Sequence, residues 1–294
     1  MHHKSQVTKY TAIKQLICSY LLYALSIYAT QQDNICIDPE KIHLHKDREK
    51  NFLQYISGVA LGLKNSHNCA MHQAGEIVDI LSDVCGENVK LMIREPGLIH
   101  LKVTEPIISV WLQNRVEKGE LGVGSGELGV GSGDLGVGNL LSGQYAHARC
   151  CSLIQMCLRE GLIKLNKVNL SVNSGYQREM GIIPLGNEIL PSPLPWLGSD
   201  NKLRFYKKAE RVLLSELIQV VDDIVCPFTN SSVNWEKVTL NLSQAFDNFW
   251  CDCRIMRNSD IELARARFGL VLAVRSVLQF LLEKKLGVFA PFEL

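Results

Sequence analysis

The chain has 294 residues, of which 47% are hydrophobic and 21% charged, which is enough apolar material for two domains with their own cores. Its formal net charge is only +1, which argues against a protein that binds nucleic acid through phosphate neutralisation alone. Most of the ten cysteines lie inside apolar periodic runs, where cysteine behaves as a small hydrophobic residue, so we expect a cytoplasmic protein without a disulfide framework.

An apolar run at residues 12–29 comes first in the chain. It follows Lys4 and Lys9, as the hydrophobic region of a signal peptide would. However, Lys14 and Gln15 interrupt it, and the uncharged part is about 15 residues long, shorter than the roughly 20 that span a membrane. We therefore predict a first helix packed on the N-terminal domain, with no stable membrane insertion. A helix on a membrane surface and an export signal are the alternatives.

Helices and short strands alternate in the next hundred residues. Apolar periodicity and the Pro96-Gly97 break predict helices at 52–64, 71–85 and 105–116, and strands at 89–94 and 98–103. Trp111 and Leu112 fall on the buried side of the last of these helices. This order of elements predicts a small α+β domain, which we place at residues 1–116.

A glycine-rich repeat follows this domain. One seven-residue unit occurs three times, at 119–125, 126–132 and 133–139. Because the unit has too few apolar atoms to offset the entropy of ordering, we predict a flexible linker at 117–143. The repeat has the spacing Gly-x-Gly-x-x-Gly of a dinucleotide-binding loop, but more glycines stand where that loop needs a strand and a helix. We therefore predict no cofactor.

Long apolar periodic runs dominate the rest of the chain. They predict helices at 144–160, 203–225, 233–256 and 260–285. Turn-forming residues between 166 and 200 predict a long loop. The pattern indicates an all-α helical bundle at 144–294, and thus a mostly α protein.

Tyr145, His147 and Arg149 begin the first helix of this bundle. Tyr145 and Arg149 are one turn apart and therefore share a face. An aromatic ring beside a guanidinium is suited to reading single-stranded RNA bases. The same spacing also suits a packed ring beside a solvated charge, and His147 is expected to have a structural role.

Two short clusters of histidine and cysteine come nearest to a metal site. They are His67-x-Cys69-x-x-His72 and Cys251-x-Cys253, and no second Cys-x-x-Cys pair completes a tetrahedral site. A pair of nucleophile and base is not evident either. We therefore predict neither a metal site nor an enzyme.

Three motifs stand in order across residues 144–294. They are Tyr145-Ala-His-Ala-Arg149 followed by Cys150-Cys151-Ser152, then Ala245-Phe-Asp-Asn-Phe-Trp250, and finally Ala264–Leu270 with the tail Leu286–Pro291. Together they resemble the DALR anticodon-binding domain of arginyl-tRNA synthetases. The resemblance implies a set of anticodon-binding residues: Tyr145, Arg149, Phe246, Trp250 and Leu294, the last standing where the family usually ends in Met. For the two aromatics on the later helix, packing into the core is the alternative.

Segments at 55–63, 74–78 and 94–101 resemble the N-terminal domain of the same family, which contacts the elbow of the tRNA. The resemblance implies elbow contacts through Glu95, Leu98 and His100. The last two depart from the family pattern, which usually has Phe and Asn there.

The catalytic domain of that family lies between these two regions and holds ATP with a His-x-Gly-His motif and a Lys-Met-Ser-Lys-like loop. Neither motif occurs in this chain. The resemblance therefore implies a non-catalytic protein that binds tRNA, with arginine tRNA as the expected ligand. The alternative is a scaffold module that docks a protein, such as a synthetase, and the near-neutral charge and the departures at Leu98, His100 and Leu294 favour it.

Overall fold

The computed structural model describes residues 10–31, 42, 44–47, 53–63, 69–119, 121, 137–166, 188–226, 233–256 and 259–294. It divides into two compact units, Met1–Ile108 and Ser109–Leu294. The fold is mostly α, with a small antiparallel sheet in the first unit, which confirms the predicted fold class. Most of the predicted linker, residue 120 and residues 122–136, lies outside the described residues.

Helix α1 (Ile13–Gln31) forms from the apolar run at the start of the chain. Its buried side chains recur every three or four residues, as expected for a helix with one face in a core. The hydroxyl of Tyr20 accepts a hydrogen bond of 3.3 Å from Asn88, and the hydroxyl of Tyr28 donates one of 3.3 Å to Glu76. The helix therefore packs on the first unit, as predicted.

No helix in the described part of the chain is long and apolar enough to cross a membrane.

A four-stranded antiparallel sheet forms the other half of the first unit, in the strand order β1-β2-β4-β3. The strands are β1 (Leu44–Lys46), β2 (Gln54–Ser57), β3 (Val89–Arg94) and β4 (Leu98–Val103), and the helices α2 (Val59–Gly62) and α3 (Ala70–Cys85) lie between β2 and β3. Tyr55, Ile99 and Leu101 are buried on the face that packs against α3. Both strands predicted around Pro96-Gly97 are confirmed at their predicted bounds.

The helix predicted at 52–64 is wrong in its first half. Strand β2 occupies that half, with Tyr55 opposite Leu101 of β4, and only the short α2 is helical. Buried and half-buried residues alternate along β2, which is the period of a strand rather than a helix. Pairing with β4 thus overrides the local helical pattern.

Helix α4 (Glu105–Lys118) contains the division between the two units, after Ile108. Trp111 and Leu112 are buried, as predicted. The side-chain oxygen of Gln113 accepts hydrogen bonds from the backbone N–H of Leu194, at 3.0 Å, and from the indole N–H of Trp196, at 2.8 Å. The second unit therefore includes the C-terminal part of α4, which lies ahead of the repeat.

The second unit is a helical bundle with one two-stranded ladder. Its elements after α4 are α5 (Val137–Arg159), β5 (Lys164–Asn166), β6 (Glu188–Leu190), α6 (Lys208–Val225), α7 (Trp235–Asp252) and α8 (Ile261–Phe280), which ends in a π-helical turn, Leu281–Lys285. Helix α5 begins seven residues before the predicted residue 144, inside the third repeat unit. Strand β6 lies inside the loop predicted at 166–200, whereas β5 ends at its first residue. Residues 167–187 between the two strands are outside the described residues.

Helices α5 and α7 lie side by side and run in the same direction. Gly143 near the start of α5 faces Thr239 of α7, and Arg149 further along faces Asp247. A Cβ atom at Gly143 would lie 2.7 Å from Cγ2 of Thr239 and 3.2 Å from Cδ2 of Leu282, so a larger residue would push the helices apart. Because the two helices are this close, their solvent-facing sides form one continuous surface near Arg149 and Asp247.

A buried ion pair joins three parts of the bundle. Nε of Arg267 on α8 donates to Oε1 of Glu210 on α6 at 2.6 Å, and the two side chains are 5% and 0% exposed. Nη1 of Arg267 donates to the carbonyl of Arg254, just after α7, at 2.6 Å. The other oxygen of Glu210 accepts from the backbone N–H of Lys207 at 2.7 Å. The two charges are thus paired and hydrogen-bonded, which burial of charge requires.

Replacing Glu210 with Gln should lower the free energy of unfolding by about 3–5 kcal/mol, because it leaves the Arg267 cation buried without its counter-charge. Urea denaturation followed by circular dichroism measures the change. The pair between Arg204 and Glu262 provides a matched control, since the Glu262 side chain is 53% exposed and Glu262→Gln should cost less than about 1 kcal/mol. Equal stability of the two variants would contradict the role given to the buried pair.

Candidate nucleic-acid interface

Four side chains from α5 and α7 form a layered cluster, which we call the Arg149 cluster: Tyr145, Arg149, Asp247 and Trp250. The guanidinium carbon of Arg149 lies 4.4 Å from the ring centre of Tyr145 and 5.8 Å from that of Trp250. Nη2 of Arg149 also donates a hydrogen bond to the hydroxyl of Tyr145. The cation is therefore in contact with both aromatic rings, an attractive arrangement because the faces of aromatic rings carry partial negative charge.

The carboxylate of Asp247 lies beside this cation. Its Oδ1 is 3.6 Å from Nη1 of Arg149, beyond hydrogen-bonding distance, and this oxygen is buried without a hydrogen-bond partner. Burial raises the pKa of the Asp247 carboxyl, and the nearby Arg149 charge partly offsets this effect. The cluster therefore holds one positive and one negative group in a partly dehydrated place.

The cluster is open to solvent on one side. Tyr145 is 46% exposed, and the side chains of Arg149 and Asp247 are 28% and 44% exposed. Trp250 is half-buried, and Leu141, one turn before Tyr145 on α5, is also exposed. The structure thus brings together three of the residues predicted to contact an anticodon, on a surface that a flat ligand can reach.

Phe246 does not belong to this exposed surface, and its position matches the alternative of packing into the core, so its contact with an anticodon stays a prediction. The residue is 0% exposed, and its ring centre lies 6.4 Å from that of Phe249, which is also buried. A base can stack only on a ring with a free face, so Phe246 contributes to the core of the bundle. Trp250, one turn further along α7, stays at the surface.

The tail after α8 is fixed against the start of α5. Nε2 of Gln144 donates to the carbonyl of Phe289 at 2.9 Å, and Nδ1 of His147 lies 2.8 Å from the carbonyl of Pro291. Because a carbonyl only accepts, Nδ1 of His147 carries the proton. Leu294, predicted to contact the anticodon, lies beyond this clamp and is 71% exposed. No described contact joins it to the Arg149 cluster.

His147 and Cys151 lie close together in the core without forming a reactive pair. The sulfur of Cys151 is 3.9 Å from Nδ1 of His147, and both residues are buried. Burial lowers the pKa of His147 to about 4 and raises the pKa of the Cys151 thiol. Both shifts favour the neutral forms, whereas a nucleophilic cysteine needs the thiolate. The structural role predicted for His147 agrees with its bond to the tail.

The low pKa of His147 predicts a dependence of stability on pH. In the unfolded chain the imidazole takes up a proton near pH 6.5, but in the folded protein only near pH 4. Stability is therefore highest above pH 6.5 and falls as the pH decreases towards 4, by roughly 3 kcal/mol from this group. Urea denaturation of the parent and of His147→Gln at several pH values should show this loss only in the parent.

His72 gives the matched control, because its side chain is 59% exposed. The variant His72→Gln should lose stability with falling pH as the parent does. If His147→Gln also loses as much stability with falling pH as the parent does, burial of the neutral imidazole is not the cause of the pH dependence.

The residues predicted to contact a tRNA elbow lie at the β3–β4 turn and along β4. Glu95 is exposed and Leu98 is half-buried. His100 is only 7% exposed, and its Nδ1 lies 2.5 Å from Nε2 of Gln54 on β2. Burial and the charge of Arg94 lower the pKa of His100, although Asp47 has the opposite effect. The structure therefore places His100 within the sheet with little accessible surface, and the elbow contacts of Glu95, Leu98 and His100 stay predictions.

Within the described residues, no group of three or more His, Cys, Asp or Glu side chains is placed to hold a metal ion. Of the cluster His67-x-Cys69-x-x-His72, from which no metal site was predicted, His67 lies outside those residues and Cys69 is exposed.

Asp247 is a member of the cluster that was not predicted from the sequence. It lies in the motif Ala245–Trp250, three residues before Trp250 and thus on the same helical face. Its spacing from Trp250 could have indicated that Asp247 belongs to the same surface. Its ion pair with Arg149 could not be predicted, because it results from the packing of α5 against α7.

Comparison with known proteins gives one matching family and one similar protein. Residues 200–293 match the family described as the DALR anticodon binding domain, a range that includes Asp247 and Trp250 but not Tyr145 or Arg149. A stretch of 151 residues is 28% identical to an arginine–tRNA ligase of Synechococcus sp. (strain JA-3-3Ab). This stretch is 50% of the chain but only 21% of that relative, so the match spans about a fifth of its length. No solved structure matches the chain.

Proposed function

We propose that this chain is a non-catalytic, arginyl-tRNA synthetase-like protein that binds tRNA through its helical unit. The observation that carries the proposal is the contact of Arg149 with the rings of Tyr145 and Trp250 at the surface, since Trp250 lies in the range that matches an anticodon-binding family. Arginine tRNA is the expected ligand, because the similar ligase is named for arginine.

The Arg149 cluster supplies two kinds of contact that unpaired bases require. The rings of Tyr145 and Trp250 offer faces on which bases stack, and each stacked base contributes about 1–3 kcal/mol. The guanidinium of Arg149 offers N–H donors and a flat surface beside those rings. An anticodon loop presents splayed, single-stranded bases, so its chemistry fits this surface better than a double helix does.

The charges of the chain support recognition of bases over attraction to phosphates. The formal net charge is +1, and within the cluster the positive charge of Arg149 faces the carboxylate of Asp247. A surface with little net charge binds RNA weakly unless bases contribute. Binding should therefore depend on which bases the loop presents.

We further propose that the chain has no synthetase activity of its own, since it contains neither ATP-binding motif of that family. Purified protein should give no arginine-dependent exchange between ATP and pyrophosphate above a control without protein. Exchange that depends on arginine would contradict this part of the proposal. We place the protein in the cytoplasm, because most of its ten cysteines lie in apolar runs and do not suggest a disulfide framework.

A protein partner, such as a synthetase, is the second candidate ligand of the same unit. Leu141 and Phe289 favour it, because they are 53% and 68% exposed and apolar. Both residues lie near Gln144, which follows Leu141 by one turn and contacts the carbonyl of Phe289. Apolar side chains next to each other at a surface are typical of protein interfaces.

The variant Arg149→Ala should weaken the binding of arginine tRNA by about 1–3 kcal/mol, because it removes the guanidinium that contacts both rings. The loss should be smaller for the same tRNA with a changed anticodon. Fluorescence anisotropy at physiological salt measures both dissociation constants. Trp250→Ala should act in the same direction if its unfolding matches that of the parent.

Lys202→Ala is the matched control, since it removes one positive charge from a side chain that is 70% exposed and contacts only Asp200 among the described ion pairs. It should bind both tRNAs nearly as the parent does. If well-folded Arg149→Ala binds as tightly as the parent, or the parent shows no preference among tRNAs, the anticodon proposal fails and the protein-partner function takes its place.

A further inference from the structure

We infer that Asp247 sets the selectivity of the Arg149 cluster by neutralising the guanidinium and so suppressing its attraction to phosphates of any RNA. This inference rests on the proposed function and concerns which part of an RNA that same site prefers to bind. Its basis is the position of the Asp247 carboxylate, 3.6 Å from Nη1 of Arg149 and on the same exposed surface as Trp250.

Stability alone does not explain the presence of a carboxylate here. Ion pairs as exposed as this one contribute little to the stability of the fold. In addition, Oδ1 of Asp247 is buried and accepts no hydrogen bond, an arrangement that costs free energy in a folded protein. An acid held in an unfavourable place beside an exposed cation points to an effect on whatever binds the cation.

Neutralisation changes the kind of ligand that the cluster prefers. A guanidinium without a counter-charge is a general phosphate site, because its planar donors match phosphate oxygens on any nucleic acid. With Asp247 alongside, a phosphate near Arg149 would also face a negative carboxylate, and that repulsion opposes the attraction. Stacking on Tyr145 and Trp250 involves little net charge and is not opposed. The carboxylate therefore shifts binding from phosphates towards bases.

Replacement of Asp247 with Asn tests the inference, since the side chain keeps its size and loses its charge. The parent and the variant are titrated with arginine tRNA and with the same tRNA carrying a changed anticodon, at several salt concentrations. We expect Asp247→Asn to bind the changed tRNA roughly two- to fivefold more tightly, the range that an exposed charge pair supports. Arginine tRNA should gain less, so the ratio of the two dissociation constants falls.

The dependence on salt gives an independent readout. One more phosphate contact steepens the plot of log affinity against log salt by about 0.7–0.9. Asp247→Asn should show this steeper slope, whereas Asp247→Glu keeps the charge and should keep the slope of the parent. In an Arg149→Ala background, Asp247→Asn should have no effect on the slope, because the cation that it unmasks is gone.

An unchanged slope and an unchanged ratio of dissociation constants in well-folded Asp247→Asn would overturn the inference. An equal change in the salt slope on Asp247→Asn in the parent and in the Arg149→Ala background would also overturn it. Failure of the proposed function looks different, because the parent itself would then show no preference among tRNAs. Weaker binding of both tRNAs by Asp247→Asn would also overturn the inference, since it would mean that the carboxylate holds Arg149 in place for binding.

Discussion

The buried ion pair of Arg267 and Glu210 is the interaction on which the helical unit depends. It connects α8 to the first turn of α6, and through the carbonyl of Arg254 it holds the chain directly after α7. Trp250 lies one turn before that carbonyl. Two charges that are costly to bury therefore fix the end of the helix that carries the half-buried indole of Trp250.

The close contact of α5 with α7 completes the surface. Gly143 lets the two helices approach at Thr239, and two turns further on the same approach brings Arg149 beside Asp247 and Trp250. The packing of the two helices holds these side chains close together before any ligand binds. Such preorganisation lowers the entropic cost of binding.

A balance of charge distinguishes this surface from a general RNA-binding patch. Affinity for RNA commonly comes from lysines and arginines that neutralise phosphates, at the expense of selectivity. Here the central arginine lies against two rings and a carboxylate, and we infer that this arrangement weakens its attraction to phosphates and leaves stacking on the rings unopposed. The net charge of +1 for the whole chain is consistent with the same balance.

Parts of this architecture could be predicted from the sequence, where local chemistry decides the structure. The strands at 89–94 and 98–103 follow from alternation around a Pro-Gly turn, and pairing confirms them. Strand β2 could not be predicted in this way, because its partner β4 lies more than forty residues away along the chain. The start of α5 at Val137 was missed because glycines of the repeat hide the helical pattern.

Some residues of the candidate site could be identified from the sequence, and others could not. Tyr145, Arg149 and Trp250 were identified from their spacing and their resemblance to family motifs, and the structure brings them together. Phe246 shares a helical stripe with Trp250, and periodicity alone could not show which of the two rings is buried. The place of Asp247 in the cluster and the burial of His100 could not be predicted, because both result from contacts between elements that are distant in sequence.

The most direct test of the account is to sequence the RNA that copurifies with the tagged protein from its own host, in parallel with the Arg149→Ala variant. The account predicts that one tRNA, an arginine tRNA, is strongly enriched with the parent and lost with the variant. Recovery of no tRNA, or of a mixture that matches total cellular tRNA and is the same for both proteins, would contradict it.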